Sequence, residues 1–180
     1  MPQYTCIKRN VYSTKEKRVE DDAAECSCRP SSSGLEGVCY ENCHCRMTHV
    51  ICSSSCHCGK YCVNKPFRLR KPKSLKLSKT EKCCWGVNAG KDIMAGEFLI
   101  EYVGEVIDIK TCGERLCKMK EKGETNFYIV QMNSKTFIDA TYKGNKSRFI
   151  NHSCLPNTTL QKWFVLTMDL SFIKYLLSCS

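Results

Sequence analysis

With 180 residues, 16 cysteines and a formal net charge of +10, the chain has the size of one medium domain, or of one domain with a small appendage, and can bury a core without covalent staples. Its start, MPQYTCIKRN, is polar and basic and unlike the apolar run of a signal peptide, which disfavours a secreted disulfide protein. In a reducing compartment crowded cysteines serve as metal ligands more often than as bridges, and the positive balance suits an acidic partner such as nucleic acid or chromatin, although a plain lysine-rich surface has the same charge.

Residues 1–20 read as a polar lead-in, strand or loop, in which a basic stretch (Lys15, Lys17, Arg18) gives way to an acidic one that begins at Glu20 and runs on through Asp21 and Asp22. Residues 26–62 hold nine cysteines among Ser and Gly, with little apolar periodicity; they predict a metal-held knot with scant secondary structure. Residues 65–82 are very basic, and the Leu75-Lys76-Leu77 alternation predicts a strand after a linker. Residues 96–108, GEFLIEYVGEVID, are rich in strand formers and interrupted by Gly104. Residues 110–123 predict a helix ending at Gly123. NFYIVQM and KTFIDA predict paired strands around Asn133-Ser134. Residues 164–180 form a divergent apolar tail broken by Asp169 and Lys174, shorter than the ~18 or more uncharged residues of a membrane span; no membrane association is expected.

The cysteine spacing is C-x-C-x10-C-x3-C-x8-C-x3-C-x5-C over Cys26, Cys28, Cys39, Cys43, Cys52, Cys56 and Cys62. Short C-x-C and C-x3-C pairs bring two thiolates to one ion at little cost in chain entropy, and seven thiolates serve two four-coordinate zinc ions if one sulfur bridges. Cys45 and Cys58 are left over as possible substitutes, and His44, His49 and His57 lie in the same region. A disulfide knot is the alternative; the close pairs favour metal.

Farther on, Arg148-Phe149-Ile150-Asn151-His152-Ser153-Cys154 is followed by Pro156, which keeps the string out of a long helix. A Cys154–His152 nucleophilic pair is one reading, but a nucleophilic cysteine normally meets a histidine distant in sequence. A ligand loop and an ordinary polar loop are the others.

The seven-cysteine pattern, followed by Asn64 and Phe67, resembles the AWS (pre-SET) module that precedes some SET-domain lysine methyltransferases. Trp85-Gly86, then D-I-x-A-G-E-F-x-I-E-Y-V-G-E-V-I, then N-F-Y, then I-D-A-T-x-K-G-N-x-S-R-F-I-N-H-S-C-x-P-N are similar to SET-domain motifs in the family's order. The likeness runs from Cys26 to Trp163 and is nearest to plant-type proteins assigned to lysine 36 of histone H3. It implies a mainly β fold with short helices: an AWS zinc module over residues 21–67, a SET domain over 68–163 that is incomplete at its C-terminus, and an incomplete pseudoknot. The implied activity is histone-lysine N-methyltransfer from S-adenosylmethionine, in the nucleus on the chromosome, by a monomer that meets histone H3 in the nucleosome, with nonspecific DNA contact through residues 65–82.

By the same resemblance, Cys26, Cys28, Cys39 and Cys43 would hold one zinc, and Cys39, Cys52, Cys56 and Cys62 the other. Trp85, Gly86, Asn126, Phe127 and Tyr128 would line the cofactor's methionine end, Asn151 and His152 would hold its adenosine, and Tyr102 would line the substrate-lysine channel. Arg148 and Asp139 would support the site. From the residues alone, an aromatic such as Tyr102 at an alternating strand position is more often core than channel.

Two departures from the family stand out. Its cofactor loop usually reads Gly-x-Gly, where this chain has Cys84-Trp85-Gly86; a side chain at position 84 predicts crowding or a strained dihedral. After Gln161-Lys162-Trp163 the pattern stops, as in a C-terminally truncated chain. The Gly-Glu-x-x-x-Tyr-Asp-Tyr motif with the family's main catalytic tyrosine is not found, nor are the three cysteines that would join Cys154 on a third, post-SET zinc, which is therefore not expected. The expected activity is low, and a non-catalytic zinc-containing chromatin-binding fragment is the alternative function.

Overall fold

A computed structural model describes residues 3–13, 26–29, 38–39, 42–53, 55–64, 72–81, 84–166 and 171–179. The chain divides into two units, residues 1–16, 72–159 and 177–180 in the first, and 17–71 with 160–176 in the second.

The first unit is built mainly of strands. Two short lead-in strands, β1 (Thr5–Cys6) and β2 (Val11–Tyr12), each join a later strand in parallel, β1 with β10 (Lys143–Gly144) and β2 with β7 (Glu105–Asp108). The polar lead-in is thus tied down at both places. The basic alternation becomes β4 (Leu75–Lys79), which pairs antiparallel with β5 (Trp85–Ala89) so that Lys79 lies opposite Trp85; residues 65–71 and 82 of the basic stretch lie outside the described residues.

The strand-former run divides at Gly104 into β6 (Phe98–Tyr102) and β7. A Cβ at Gly104 would meet the Asp139 carbonyl oxygen at 2.4 Å, so two backbones approach there at a distance only glycine permits. Strand β7 pairs antiparallel with β9 (Thr136–Asp139), and β9 with β8 (Ile129–Gln131), completing the order β2-β7-β9-β8. The β8–β9 turn is held by the Asn133 side chain, whose Oδ1 accepts from the Lys135 and Thr136 amides at 2.9 Å each. Strand β8 begins at Ile129, so the expected strand over NFYIVQM loses its first three residues. The Tyr128 carbonyl, just ahead of it, accepts from both the Ala140 amide and the Tyr102 hydroxyl.

Between β7 and β8 runs the expected helix, Ile109–Glu121. Asp108 caps it by accepting from the Thr111 amide at 2.8 Å, Lys118 and Lys120 occupy its negative end, and Gly123 at φ +69° follows its last turn. An ion-pair network ties the helix to the sheet: Arg115 reaches Asp139 at 2.7 Å and Glu105 at 3.0 Å, and Lys143 meets Glu105 at 3.0 Å. The core beneath is apolar, with Val103, Val106, Ile107, Met119 and Ile138 all buried.

Among the described residues of the cysteine-rich run, regular elements of the second unit are short, as the sequence predicts: the helix His44–Met47, strand β3 (Val50–Ile51) and the 3-10 turn Gly59–Tyr61. Strand β3 pairs in parallel with β11 (Thr158–Leu166), Val50 opposite Phe164. The backbone of the apolar tail continues β11 to Leu166 and forms β12 (Ser171–Cys179). No helix among the described residues is long and apolar enough to cross a membrane.

Candidate metal centre and cofactor site

The core of the second unit is sulfur. Cys26, Cys39, Cys43, Cys45, Cys52, Cys56, Cys58 and Cys62 form one buried cluster, with Cys28 packed against it. None of these nine is in a disulfide. The sulfur–sulfur distances are 3.8 Å for Cys26–Cys39, 3.5 Å for Cys26–Cys56, 3.9 Å for Cys39–Cys56 and 3.8 Å for Cys43–Cys52. A zinc tetrahedron with Zn–S bonds of ~2.3 Å has edges of about 3.8 Å. The thiols therefore stand at the spacing of ligands around one ion, and the donor set fits zinc. Three groups have all their sulfurs within 4.8 Å of one another: Cys26, Cys39, Cys52 and Cys56; Cys26, Cys28, Cys39 and Cys43; and Cys43, Cys45 and Cys52.

The local chain explains this convergence. Cys43-His44-Cys45 and Cys56-His57-Cys58 each turn both cysteines inward and the histidine outward, so His44 and His57 are exposed. His49 is also exposed and packs on the Trp163 ring, 5.2 Å between centroids. Burial raises the Cys45 thiol to about 12 and pushes Cys26 and Cys39 upward; zinc binding supplies the charge that turns such thiols into thiolates. Asn64, also buried, donates from Nδ2 to the Val50 carbonyl at 2.9 Å and to Cys52 Sγ at 3.2 Å, an orienting contact of the kind that outer-shell residues make to metal ligands. Sequence reasoning left Cys45 and Cys58 over and used Asn64 only as a pattern marker. The repeated Cys-His-Cys alternation was the available signal for the first two.

In the first unit the motif residues meet in two pairs. Asn151 Nδ2 donates to the Trp85 carbonyl at 3.1 Å, joining β5 to the string that follows the 3-10 turn Lys146–Phe149. A Cβ added at Gly86 would lie 2.8 Å from Thr80 Cγ2, so a side chain there would have to displace Thr80, while its 3.4 Å distance to Asn151 Nδ2 is an ordinary contact. Cys84, beside them, is exposed and has φ +57°: of the two outcomes expected at that position, the dihedral strain is present. The second pair is Tyr102 and Tyr128, whose link is the Tyr102 hydroxyl donating to the Tyr128 carbonyl at 2.9 Å. Burial pushes the Tyr102 phenol well above its ordinary value, against the opposing pull of the Arg148 guanidinium.

Arg148 underlies the string. It is 5% exposed, donates from Nη2 to the Thr141 carbonyl at 3.0 Å, and stacks 3.8 Å from the Tyr128 ring centroid, with Tyr4 and Phe149 also close. Burial lowers its basicity. Asn145 starts the turn by accepting from the Ser147 amide and donates to the Glu101 carbonyl at 2.8 Å. The outward side is polar and open: Asn151, His152 and Cys154 are exposed, as are Asn126 and Phe127. Among the described residues no hydrogen bond ties His152, Asn126 or Phe127 to the Trp85–Asn151 pair. The exposed amide of Asn151, held beside the Trp85 backbone, offers hydrogen-bonding groups to a polar ligand.

The SET domain family model matches residues 84–175, half of the chain. Histone-lysine N-methyltransferase ASHH3 of Arabidopsis thaliana is 59% identical over 90% of this chain and 46% of its own length. Putative histone-lysine N-methyltransferase ASHH4 of the same organism is 55% identical over 88% and 46%, and histone-lysine N-methyltransferase SETD2 of Homo sapiens 37% identical over 92% and 7%. The chain thus spans about half the length of the first two relatives. A crystal structure of Chaetomium thermophilum polycomb repressive complex 2 contains a chain that superposes on 86% of this one, covering 22% of that chain, with a TM-score of 0.75 at 23% identity. That likeness concerns the fold alone.

Proposed function

The chain belongs to the SET domain family, and on that premise we propose that it is an S-adenosylmethionine-dependent protein-lysine N-methyltransferase acting on histone H3 at lysine 36, in the nucleus on the chromosome. The observation that carries the reading is the Asn151–Trp85 hydrogen bond, which joins two motifs distant in sequence at one open face. The identity to the plant histone-lysine methyltransferases supports the substrate class.

In this reading Trp85, Gly86, Asn126, Phe127, Tyr128, Asn151 and His152 bind the cofactor, which supplies a methyl group on a sulfonium when bound. Methyl transfer from a sulfonium is an in-line displacement, so the protein's task is to orient two reactants and exclude water. Tyr102 lines the lysine channel. Its own phenol is committed to the Tyr128 backbone carbonyl, which fixes the orientation of the Tyr102 ring. A low-dielectric aromatic wall disfavours an ammonium ion, so the substrate lysine arrives as a neutral amine with its lone pair available. Arg148 and Asp139 act from beneath as supports.

The AWS module, residues 21–67, carries two zinc ions on Cys26, Cys28, Cys39, Cys43, Cys52, Cys56 and Cys62, and it braces its unit rather than taking part in transfer. The monomer meets the nucleosome, and the basic residues 65–82 add sequence-independent DNA contact. A second reading is a zinc-containing chromatin-binding fragment without turnover, to which the Lys/Arg-rich residues 65–82 are suited.

Transfer of radiolabelled methyl groups from S-adenosylmethionine to recombinant nucleosomes, wild type against a lysine 36 substitution in histone H3, tests both. Labelling lost with the lysine supports the enzyme. Saturable cofactor binding with steeply salt-dependent nucleosome binding and no labelling supports the fragment. No cofactor binding at all sinks the methyltransferase reading.

A further inference from the structure

Arg148 lies buried beneath the Asn151 string, yet its charge is not held by an acid. Among the described residues no carboxylate bonds to its side chain, and Asp139 acts on it only through space. Nη2 donates to the Thr141 carbonyl, while Nε and Nη1 have no hydrogen-bond partner. A buried cation in that position is costly. Aromatic rings offset the cost: the guanidinium carbon lies 3.8 Å from the Tyr128 ring centroid, 4.6 Å from that of Tyr4 and 4.8 Å from that of Phe149. One hydrogen bond leaves a guanidinium free to pivot, so the rings set its plane.

Two of these rings are local to the site, and Tyr4 is brought from the polar lead-in. Its ring meets Phe149 edge-on, 5.7 Å between centroids at 68°. The segment behind it is bound by its backbone to the sheet. The Thr5 and Ile7 amides donate to the Tyr142 and Gly144 carbonyls at 2.8 Å each, and the Val11 and Ser13 amides to Gly104 and Val106 at 3.0 Å. Asn10 Oδ1 accepts from the Gly104 amide at 3.0 Å.

We propose that Tyr4 is a positioning residue for the cofactor string, acting through Arg148, with residues 4–13 as the strap that delivers its ring. This rests on the reading of Asn151 as a cofactor ligand. Arg148 belongs to the 3-10 turn Lys146–Phe149, and the Ile150 amide closes on the Ser147 carbonyl at 3.0 Å. Fixing the guanidinium therefore fixes the direction in which the chain leaves the turn toward Asn151. Ile150 packs against Leu75, Leu99 and Ile100, an apolar contact that sets depth but not direction. Loss of the Tyr4 ring opens a path to water for the two unpartnered donors, and Arg148 turns toward it, taking the string along.

The test compares Tyr4→Leu, which keeps apolar bulk without a ring face, with Tyr4→Phe, which keeps the ring. Titration calorimetry with S-adenosylmethionine and amide exchange on the free full chain are the readouts. Tyr4→Leu is expected to weaken binding about threefold to tenfold, the scale of one lost cation–π contact. It should speed exchange at the Arg148 and Ile150 amides while strands β8 and β9 stay protected. Tyr4→Phe should restore both. An unaltered Kd in Tyr4→Leu overturns the proposal, and so does exchange that rises equally in β8 and β9, which marks a merely structural residue. Should the wild type bind no cofactor, the methyltransferase reading fails, and the exchange comparison alone decides whether Tyr4 holds the string. Should Tyr4→Leu fail to fold, phenylalanines carrying successive fluorines are placed at position 4, which drains the ring face at nearly constant shape. Affinity falling with each fluorine is expected, and a flat series overturns the role.

Discussion

Asn151 and Trp85, 66 residues apart in the chain, are joined by a hydrogen bond of 3.1 Å from the Asn151 amide to the Trp85 carbonyl. Asn151 is exposed, so its substitution costs the fold little, within about 0.5 kcal/mol. Asn151→Ala is expected to weaken S-adenosylmethionine binding about tenfold or more, which corresponds to ~1.4 kcal/mol, with the melting temperature nearly unchanged. Titration calorimetry on both proteins measures it. An unaltered Kd removes Asn151 from the site.

Cys84 sits at φ +57°, where a side chain costs roughly 1–2 kcal/mol. Glycine relieves that strain but loses about 0.5–1 kcal/mol through the entropy of its unfolded chain. The strain is the larger, so Cys84→Gly is expected to stabilise the protein by about 0.5–1 kcal/mol in urea unfolding. A destabilised variant refutes the strain argument.

The Tyr102 hydroxyl makes one buried hydrogen bond to the Tyr128 carbonyl. Tyr102→Phe is expected to cost about 1 kcal/mol at pH 7. Because burial raises the Tyr102 pKa in the folded state, its stabilising contribution is complete below the ordinary value of 10.0 and is lost as pH rises through the folded value. The urea midpoint of the wild type should therefore fall more steeply above pH 10 than that of Tyr102→Phe. Parallel slopes for the two proteins leave the phenol without this role.

Asp139 is fully buried and pairs with Arg115 at 2.7 Å. Removing one member of a buried pair costs ~3–5 kcal/mol when the other is left alone. Arg115 keeps Glu105 at 3.0 Å and is a quarter exposed, so Asp139→Asn belongs below that range, at about 2–3 kcal/mol. Thermal unfolding checks the value, and a loss under ~0.5 kcal/mol, the scale of an ordinary surface change, means the pair contributes no net stability.

Chelation separates the two units. Excess 1,10-phenanthroline is expected to expose the thiols of residues 26–62 to alkylation and to abolish amide-exchange protection there, because the sulfur cluster is that unit's core. Strands β7, β8 and β9 have an apolar core of their own and should stay protected. Unchanged exchange across residues 26–62 after verified zinc loss contradicts a metal-held unit.

What the sequence alone determined was local. The C-x-C and C-x3-C pairs, the helix between Asp108 and Gly123, the break at Gly104 and the turn at Asn133 follow from chain entropy, capping and allowed dihedrals acting over a few residues, and the order of the motifs carried the family resemblance. What only the tertiary structure decided was which distant groups meet. Asn151 on Trp85, Tyr102 on Tyr128, and Arg148 among Tyr4, Tyr128 and Phe149 are contacts between segments with no local reason to find one another. The place of Cys45 and Cys58 is of the same kind. Spacing alone left them over, and their burial follows from packing against cysteines up to 30 residues away, because a sulfur's environment depends on every segment that closes around it.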